Sequence, residues 1–505
     1  MSLLGIDVGT SGCKSAVFSE TGELLTVAYE EYDMERPQPG WAQLNTWEVW
    51  DKIKSTVCRA ASEHKEIAPG DPIEALSASS MGEAVVPVTR DRRILGPSIL
   101  NFDVRGARYL PALAEALPDP ELYRINGNTL GNHYSMPKMK WIKENQPELY
   151  AEADFFLHWS AFVSFMLGAD PVLDYGLANR SLLFDVDRED WSDVLLDWAG
   201  LDREKLPAVC QAGAVVGQVL PSIADELGLP PGALIAMGTH DQSCNAVGCG
   251  AIKTGRAMYG MGTFACLTPI FERRPDPATM IGYGLNTEHH AVPGRYVSFI
   301  FNHGGSVVKW YRDTFAALDK KIAQQEGRDV YTELFAEMPP GLSSILALPH
   351  FAPTGPPEFV DDSSGVLIGL KLGTQRGDIL KGILEGITFY QREMLDVLPA
   401  AGISVDSCRA VGGGSKSDAW LQLTADVFGI PVVRPRITEA GALGGAIIAA
   451  VGAGVWPSFD DAVDQMVSLD RIFEPRLDIR AAYEPQYEKY RQIWPLMKGF
   501  LRSLD

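Results

Sequence analysis

Leu4-Gly5-Ile6-Asp7-Val8-Gly9-Thr10-Ser11-Gly12-Cys13-Lys14-Ser15-Ala16-Val17-Phe18 is the stretch whose reading decides the fold. One apolar run enters it and another leaves it. Between them stand an acid, glycines and two hydroxyls, a pattern that predicts strand, tight turn, strand. Glycines let backbone N–H groups come close to an oxyanion, and Thr10, Ser11 and Lys14 carry further donors for it. Asp7 then lies beside bound phosphate, where a carboxylate is useful if a divalent cation sits between the two, usually through water. The alternative is an ordinary hairpin with an Asx turn.

Gly260-Met261-Gly262-Thr263-Phe264-Ala265-Cys266 echoes this stretch around a shared Gly-Thr, about half the chain further on. The echo predicts two halves of similar design, each offering a Gly-Thr hairpin to one nucleotide, with Gly262 and Thr263 as the second set of phosphate contacts. Gly260 stands where Asp7 stands in the first copy, so only the first hairpin can serve a metal.

Composition narrows the partners. At 505 residues the chain holds at least two domains with full cores. A net charge of −21 argues against nucleic acid or an anionic membrane surface, both of which need a basic face. The 7 cysteines form no C-x-x-C pair, which fits free thiols and a cytoplasmic setting. Ala440 to Trp456 is uncharged but carries five glycines and stops at Pro457, so it reads as a buried small-residue helix and not a membrane span.

Further along, Asn45 and Glu48 form a helix-capping pattern, followed by Trp47, Trp50, Ile53 and Val57 at core spacing. Strand 73–80 ends in Met81-Gly82-Glu83, suited to a sugar hydroxyl or equally to a surface turn. Asp103 can accept from hydroxyls with Arg105 holding it, or the two form a structural ion pair. His133 can face a ligand or be structural. Asp154 to Leu167 reads as one buried apolar helix. The sharpest single site is the buried strand 234–237 running into Gly238-Thr239-His240-Asp241-Gln242. An acid where a strand meets a helix N-terminus can take a proton from a substrate hydroxyl; the alternative is an N-cap aspartate. His289-His290 has no third ligand at a telling spacing. Gly412-Gly413-Gly414-Ser415-Lys416-Ser417-Asp418 is strand, glycine turn and helix start, a flat platform for adenine or ribose that lacks the spacing of a P-loop.

Five stretches in this order (5–14, 134–144, 238–250, 260–263 and 412–433) resemble the FGGY carbohydrate kinases of the actin-like ATPase superfamily. The resemblance implies an α/β fold of two actin-like (ribonuclease H-like) ATPase domains around an interdomain cleft. Residues 1–250 are expected to hold sugar, metal and base, and 251–505 the nucleotide. It implies transfer from ATP with Mg2+ to a small-molecule sugar or polyol. Asp241 falls at the catalytic base, with Asp7 on the metal side. Met81, Gly82, Glu83, Asp103, His133 and Gln242 fall at the sugar, and Thr10, Ser11, Lys14, Gly262, Thr263 and Gly305 at the phosphates. Gly413, Gly414 and Asp418 fall at the adenosine. Met-Gly-Glu at 81–83 departs from the Met-His-Gly of xylulokinases and the Arg-Glu of glycerol kinases; Asp241-Gln242 resembles the glycerol-kinase pair. The general flow is closer to xylulokinases, so a ketopentose such as xylulose is the first expectation, with glycerol, a tetritol, ribulose or a deoxyhexose beside it. A homodimer is compatible with this family. An actin-like ATPase without sugar chemistry is the competing class.

Overall fold

The computed structural model describes residues 1–504. The first half is built on β1 (Ser2–Val8), β2 (Gly12–Ser19), β3 (Leu24–Glu31), helix α1 (Thr46–Ile67), β4 (Ile73–Ser80), β5 (Val215–Gln218), β6 (Leu234–Ala236) and helix α2 (Asp241–Gly248). Its sheet runs β5-β6-β4-β1-β2-β3. β1, β4 and β6 are parallel, and β1-β2-β3 is an antiparallel meander. The apolar-acid-glycine alternation at the amino end thus forms the predicted hairpin, with Asp7 opposite Lys14.

The second half repeats the plan. It comprises β7 (Gly255–Met261), β8 (Phe264–Phe271), β9 (Glu288–His289), β10 (Tyr296–Val297), β11 (Ile300–His303), helix α3 (Gly305–Phe315), helix α4 (Arg376–Val397), β12 (Val405–Val411), helix α5 (Asp418–Phe428), β13 (Val432–Pro435), helix α6 (Ala440–Gly452), β14 (Leu469–Phe473) and helix α7 (Leu477–Leu501). The order is β9-β10-β8-β7-β12-β13-β14, with β11 also on β8. β7 and β8 form the second hairpin, and β12 and β13 run parallel beside β7.

Helix α6 does not cover the second sheet. It lies on the first, where Leu443, Ala446, Ile447 and Ile448 share a buried cluster with Leu3, Ala16, Phe18, Ala75 and Val247. Each fully buried leucine or isoleucine contributes about 1.5–3 kcal/mol of transfer free energy. Small residues make the approach possible: a Cβ on Gly5 would sit 1.8 Å from the Ala442 carbonyl oxygen, and one on Gly444 2.0 Å from that of Cys244. The uncharged, glycine-rich composition of this helix is therefore a backbone-contact device. Among the described residues no helix is long and apolar enough to cross a membrane, and all 7 cysteines are free.

Local expectations hold with two corrections. Asn45 caps α1 by accepting from the Glu48 amide at 3.2 Å, and Trp50, Ile53 and Val57 are buried; Trp47, however, is 47% exposed. The apolar run from Asp154 is not one helix. Phe155–His158 is a strand paired with Val85–Val88, and only Trp159–Leu167 is helical. Burial on all sides erased the periodicity that separates the two forms.

Candidate active site

Three parallel strands of the first sheet end at one edge, and each delivers an acid there. β1 carries Asp7, the turn after β4 carries Glu83, and α2 begins with Asp241 directly after β6. Backbone bonds hold the three loops in register: the Met81 amide donates to the Val8 carbonyl at 2.8 Å, and the Ser80 amide to the Thr239 carbonyl at 3.2 Å. Glu83 has φ +56°, a left-handed conformation that is costly away from glycine and marks sites where surrounding structure over-determines the backbone.

Asp241 accepts from Gln242 Nε2 at 3.2 Å, and His240 Nε2 lies 3.1 Å from its Oδ1. Desolvation on the cleft floor, with the Asp7 charge adding to it, pushes its carboxyl up to about 7. Asp7 is likewise pushed above the usual carboxylate range by burial. Burial and the Arg180 charge hold His240 far below its ordinary range, so the imidazole is neutral. The arrangement is two like-charged carboxylates in a poorly solvated recess, one of them poised to take a proton near neutral pH.

Gln242 and Asn245 on α2 face the second half across a cavity of about 230 Å³ lined by Gly260 to Thr263, Phe264, Cys266 and Val411-Gly412. The two halves therefore present the helix that begins at Asp241 and the glycine loops to one space. The second Gly-Thr turn is braced by α3: the Gly305 amide donates to the Gly262 carbonyl at 2.8 Å and the Ser306 amide to that of Thr263 at 3.1 Å. A Cβ on Gly305 would lie 2.4 Å from the Gly262 oxygen, so only glycine fits. Gly412, at φ +88°, turns the chain from β12 into the Gly413–Lys416 turn below it.

Comparison with known proteins decides the family. Residues 2–248 match the N-terminal domain, and 259–453 the C-terminal domain, of the FGGY family of carbohydrate kinases. The chain belongs to that family. It is a sugar kinase, a phosphotransferase acting on a small-molecule sugar or polyol. Relatives of similar length include a xylulose kinase from Bacillus subtilis, 26% identical over 99% of this chain and 98% of that one. A glycerol kinase from Solidesulfovibrio magneticus is 30% identical, covering 94% of each. A gluconokinase from Bacillus subtilis is 25% identical over 100% of this chain and 96% of its own. The crystal structure of ligand-bound xylulose kinase from Lactobacillus acidophilus shares the fold, with a TM-score of 0.87 at 20% identity over the whole of both chains.

Of the residues singled out from the sequence of this FGGY kinase, Asp103 and Asp418 are engaged in ion pairs. Asp103 is fully buried, and its oxygens accept from the Ala42 amide at 2.6 Å, from the Arg105 amide and from the Arg105 side chain, whose Nη2 is 2.7 Å away. Arg105 in turn stacks on Trp41, its guanidinium carbon 4.2 Å from the ring centre. The ion-pair alternative describes this site, and the reading of Asp103 as a hydroxyl acceptor gives way to it. Asp418 is held by Arg434 and Arg471, both oxygens occupied. Lys14 pairs with Glu439, at the start of α6. His133 lies against the Tyr134 ring, and burial lowers its imidazole to about 3, leaving it neutral. Met81 is buried in the first core, and Ser11 is exposed beside Thr10 at the mouth of the first turn.

Two residues of the site escaped the sequence reading. His240 was quoted only as a neighbour of the base. Arg180 lies in no motif, yet it pairs with Glu83 and, at 2.8 Å, with Glu288. A lone arginine far from either hairpin carries no local signal; only the fold brings it to Glu83.

Proposed function

We propose that this kinase moves the γ-phosphoryl group of ATP to a hydroxyl of a neutral sugar or polyol, a ketopentose such as xylulose first, with Asp241 as the base. The observation that carries the reading is Asp241 itself, at the start of α2 beside the Gln242 that lines the cavity between the halves, with its carboxyl held near 7. As the hydroxyl oxygen bonds to the γ-phosphorus and the bond to the β-bridging oxygen breaks, Asp241 takes the hydroxyl proton and ADP departs. Phosphoryl transfer asks little covalent work of the protein; alignment, charge and one proton acceptor suffice.

Residues 1–250 then serve the acceptor and the base, and 251–505 the nucleotide, α6 excepted. Thr10, Ser11, Lys14, Gly262, Thr263 and Gly305 fall at the phosphates, and Gly413 and Gly414 at the adenosine. Met81, Gly82, Glu83, His133 and Gln242 surround the acceptor. Asp7 and Asp241 suit Mg2+: burial raises both carboxyls, the Asp7 charge raises Asp241 further, and a cation relieves such a donor set. Among the described residues no group of three or more His, Cys, Asp or Glu is placed to hold a metal, which fits an ion completed by phosphate oxygens. When bound, the ion neutralises charge on the nucleotide phosphates.

Charge supports a neutral acceptor over a sugar acid. Asp7, Asp241, Glu83 and Glu288 outnumber the cations beside them, Arg180 and a Lys14 already paired with Glu439, while His133 and His240 are neutral. An acceptor carboxylate would enter a field of its own sign. The test is ADP formation over a panel of pentuloses, tetritols, glycerol, deoxyhexoses and gluconate, with Asp241→Asn beside it. Acceptor-dependent turnover that falls about 10²–10⁴-fold in the variant, with nucleotide binding kept, is expected. Turnover independent of any acceptor and unchanged by the substitution would put the protein with actin-like ATPases instead.

A further inference from the structure

The two halves are fastened along one side of the cleft. The segment around β9 lies on the first half: the Thr287 amide donates to the Gly127 carbonyl at 2.7 Å, the His289 amide to Asn179 Oδ1 at 3.1 Å, and Gln211 Nε2 to the Ala291 carbonyl at 2.7 Å. Arg180 stands at the inner end of this seam and is gripped on four sides. Nη2 donates to Glu83 and Nη1 to Glu288 Oε1 at 2.8 Å. The guanidinium carbon is 5.4 Å from the Tyr134 ring centre and 5.5 Å from that of Phe299. Glu83 and Tyr134 belong to the first half, Glu288 and Phe299 to the second. Each half therefore contributes one carboxylate and one aromatic face to the same side chain.

One guanidinium nitrogen is left without a partner. Arg180 Nε is buried and has no partner. It faces the backbone of Gly82, where an added Cβ would lie 3.4 Å from Nε and 3.1 Å from His240 Nε2. The His240 ring packs edge-on against Phe299 at 5.0 Å, and its Nε2 is 3.1 Å from Asp241 Oδ1. A free donor, a glycine backbone that side chains approach closely and Asp241 thus adjoin one another. The pair of carboxylates already on the guanidinium leaves an excess negative charge, which suits a hydroxyl and repels an acid. Lysine cannot reproduce the arrangement, because its ammonium lacks the planar fork that reaches two carboxylates at once.

We propose that Arg180 is an acceptor-binding residue, donating from Nε to a hydroxyl of the sugar over Gly82, and that its fork makes acceptor occupancy depend on the alignment of the two halves. The proposal rests on the kinase reading above. A correctly seated sugar and a correctly seated second half both stabilise one guanidinium orientation, so each favours the other.

The experiment compares the full-length wild type with Arg180→Lys and Glu288→Gln, using the best neutral acceptor of the panel. Acceptor KM, nucleotide KM and the ratio of ADP to sugar phosphate are measured. Arg180→Lys is expected to raise acceptor KM tenfold or more, to leave nucleotide KM within twofold, and to raise the fraction of ATP lost to water. Glu288→Gln keeps a hydrogen bond but removes the second half's charge; it is expected to raise that lost fraction with less than a threefold change in acceptor KM. The thermal shift produced by acceptor alone, a readout that needs no turnover, is expected to disappear in Arg180→Lys. Unchanged acceptor KM and coupling in Arg180→Lys would overturn the proposal. So would equal losses of acceptor and nucleotide affinity with a lowered Tm, which marks a scaffold residue. Failure of the kinase reading looks different: the wild type itself phosphorylates nothing in the panel.

Discussion

The two Gly-Thr hairpins are copies of one device with opposite electrical content. In the first, Gly9 donates to the Gly12 carbonyl and Asp7 pairs across the ladder with Lys14. In the second, Gly262 donates to the Phe264 carbonyl, a turn shorter by one residue, and Gly260 pairs with Cys266. The shorter turn shifts the correspondence. Sequence alignment around Gly-Thr matches Cys266 with Cys13, whereas the ladder places Cys266 in the position of Lys14. An acid and a base in one half thus face a glycine and a thiol in the other. Charge is gathered on the first hairpin, beside the base, and the second offers bare backbone, tightened by the contact of Gly305 on Gly262. The difference fits the proposed division of labour in a duplicated fold, with one copy to handle ions and the other to let a ligand approach.

The division can be broken from either side. Asp7→Asn removes the charged member of the first hairpin and is expected to lower kcat about 100-fold, with a stronger requirement for added Mg2+. An activity loss below threefold would show that the first hairpin needs no charge. The pH profile comes next. Asp241 is raised to about 7, so kcat/KM is expected to fall tenfold per pH unit below that value and to level off above it; excess Mg2+ should move the limb to lower pH. Because its folded pKa lies above the unfolded one, Asp241 contributes a decline in Tm of the ligand-free protein as pH rises from about 4 to 7, which Asp241→Asn should remove; buried Asp174, also raised to about 7, acts in the same sense, and His133, His158 and His290, lowered to about 3 by burial, act in the opposite one. Gly260→Asp gives the second hairpin the acid of the first. Its Cβ has room, the nearest atom being 3.5 Å away, so the fold should survive while ATP KM rises about tenfold by repulsion. Gly305→Ala tests the backbone side: overpacking against the Gly262 carbonyl should cost about 1–3 kcal/mol and raise ATP KM several-fold. Lys14→Met is the mildest, with at most a threefold rise in ATP KM, because Glu439 already shares the charge and partly exposed pairs contribute about 0–1 kcal/mol.

The fold and the family were legible because their signals are local. Glycines beside an acid between apolar runs, repeated half a chain later, leave few other readings. The candidate base was legible for the same reason, a strand emptying into an acid at a helix start. What escaped depends on contacts between distant segments. Asp103 looked available because its neighbour Arg105 can serve it or be served by it, and only the packing of Arg105 against Trp41 and Trp141 decides. The pairing of Asp418 with Arg434 and Arg471 was out of sight too, because only strands β13 and β14 bring those arginines to it. Arg180 was invisible because its partners lie 97 and 108 residues away.

Helix α6 has a consequence for how the molecule is made. The apolar face of the first sheet formed by Leu3, Ala16, Phe18 and Ala75 is sealed by residues 440–452, which leave the ribosome after nearly nine-tenths of the chain has been synthesised. Until then a nascent chain carries a finished sheet with an oily side exposed, a state that invites aggregation and chaperone binding. Cutting the chain between its halves would not yield two independent proteins, and fragment complementation should succeed only when the C-terminal piece supplies that helix.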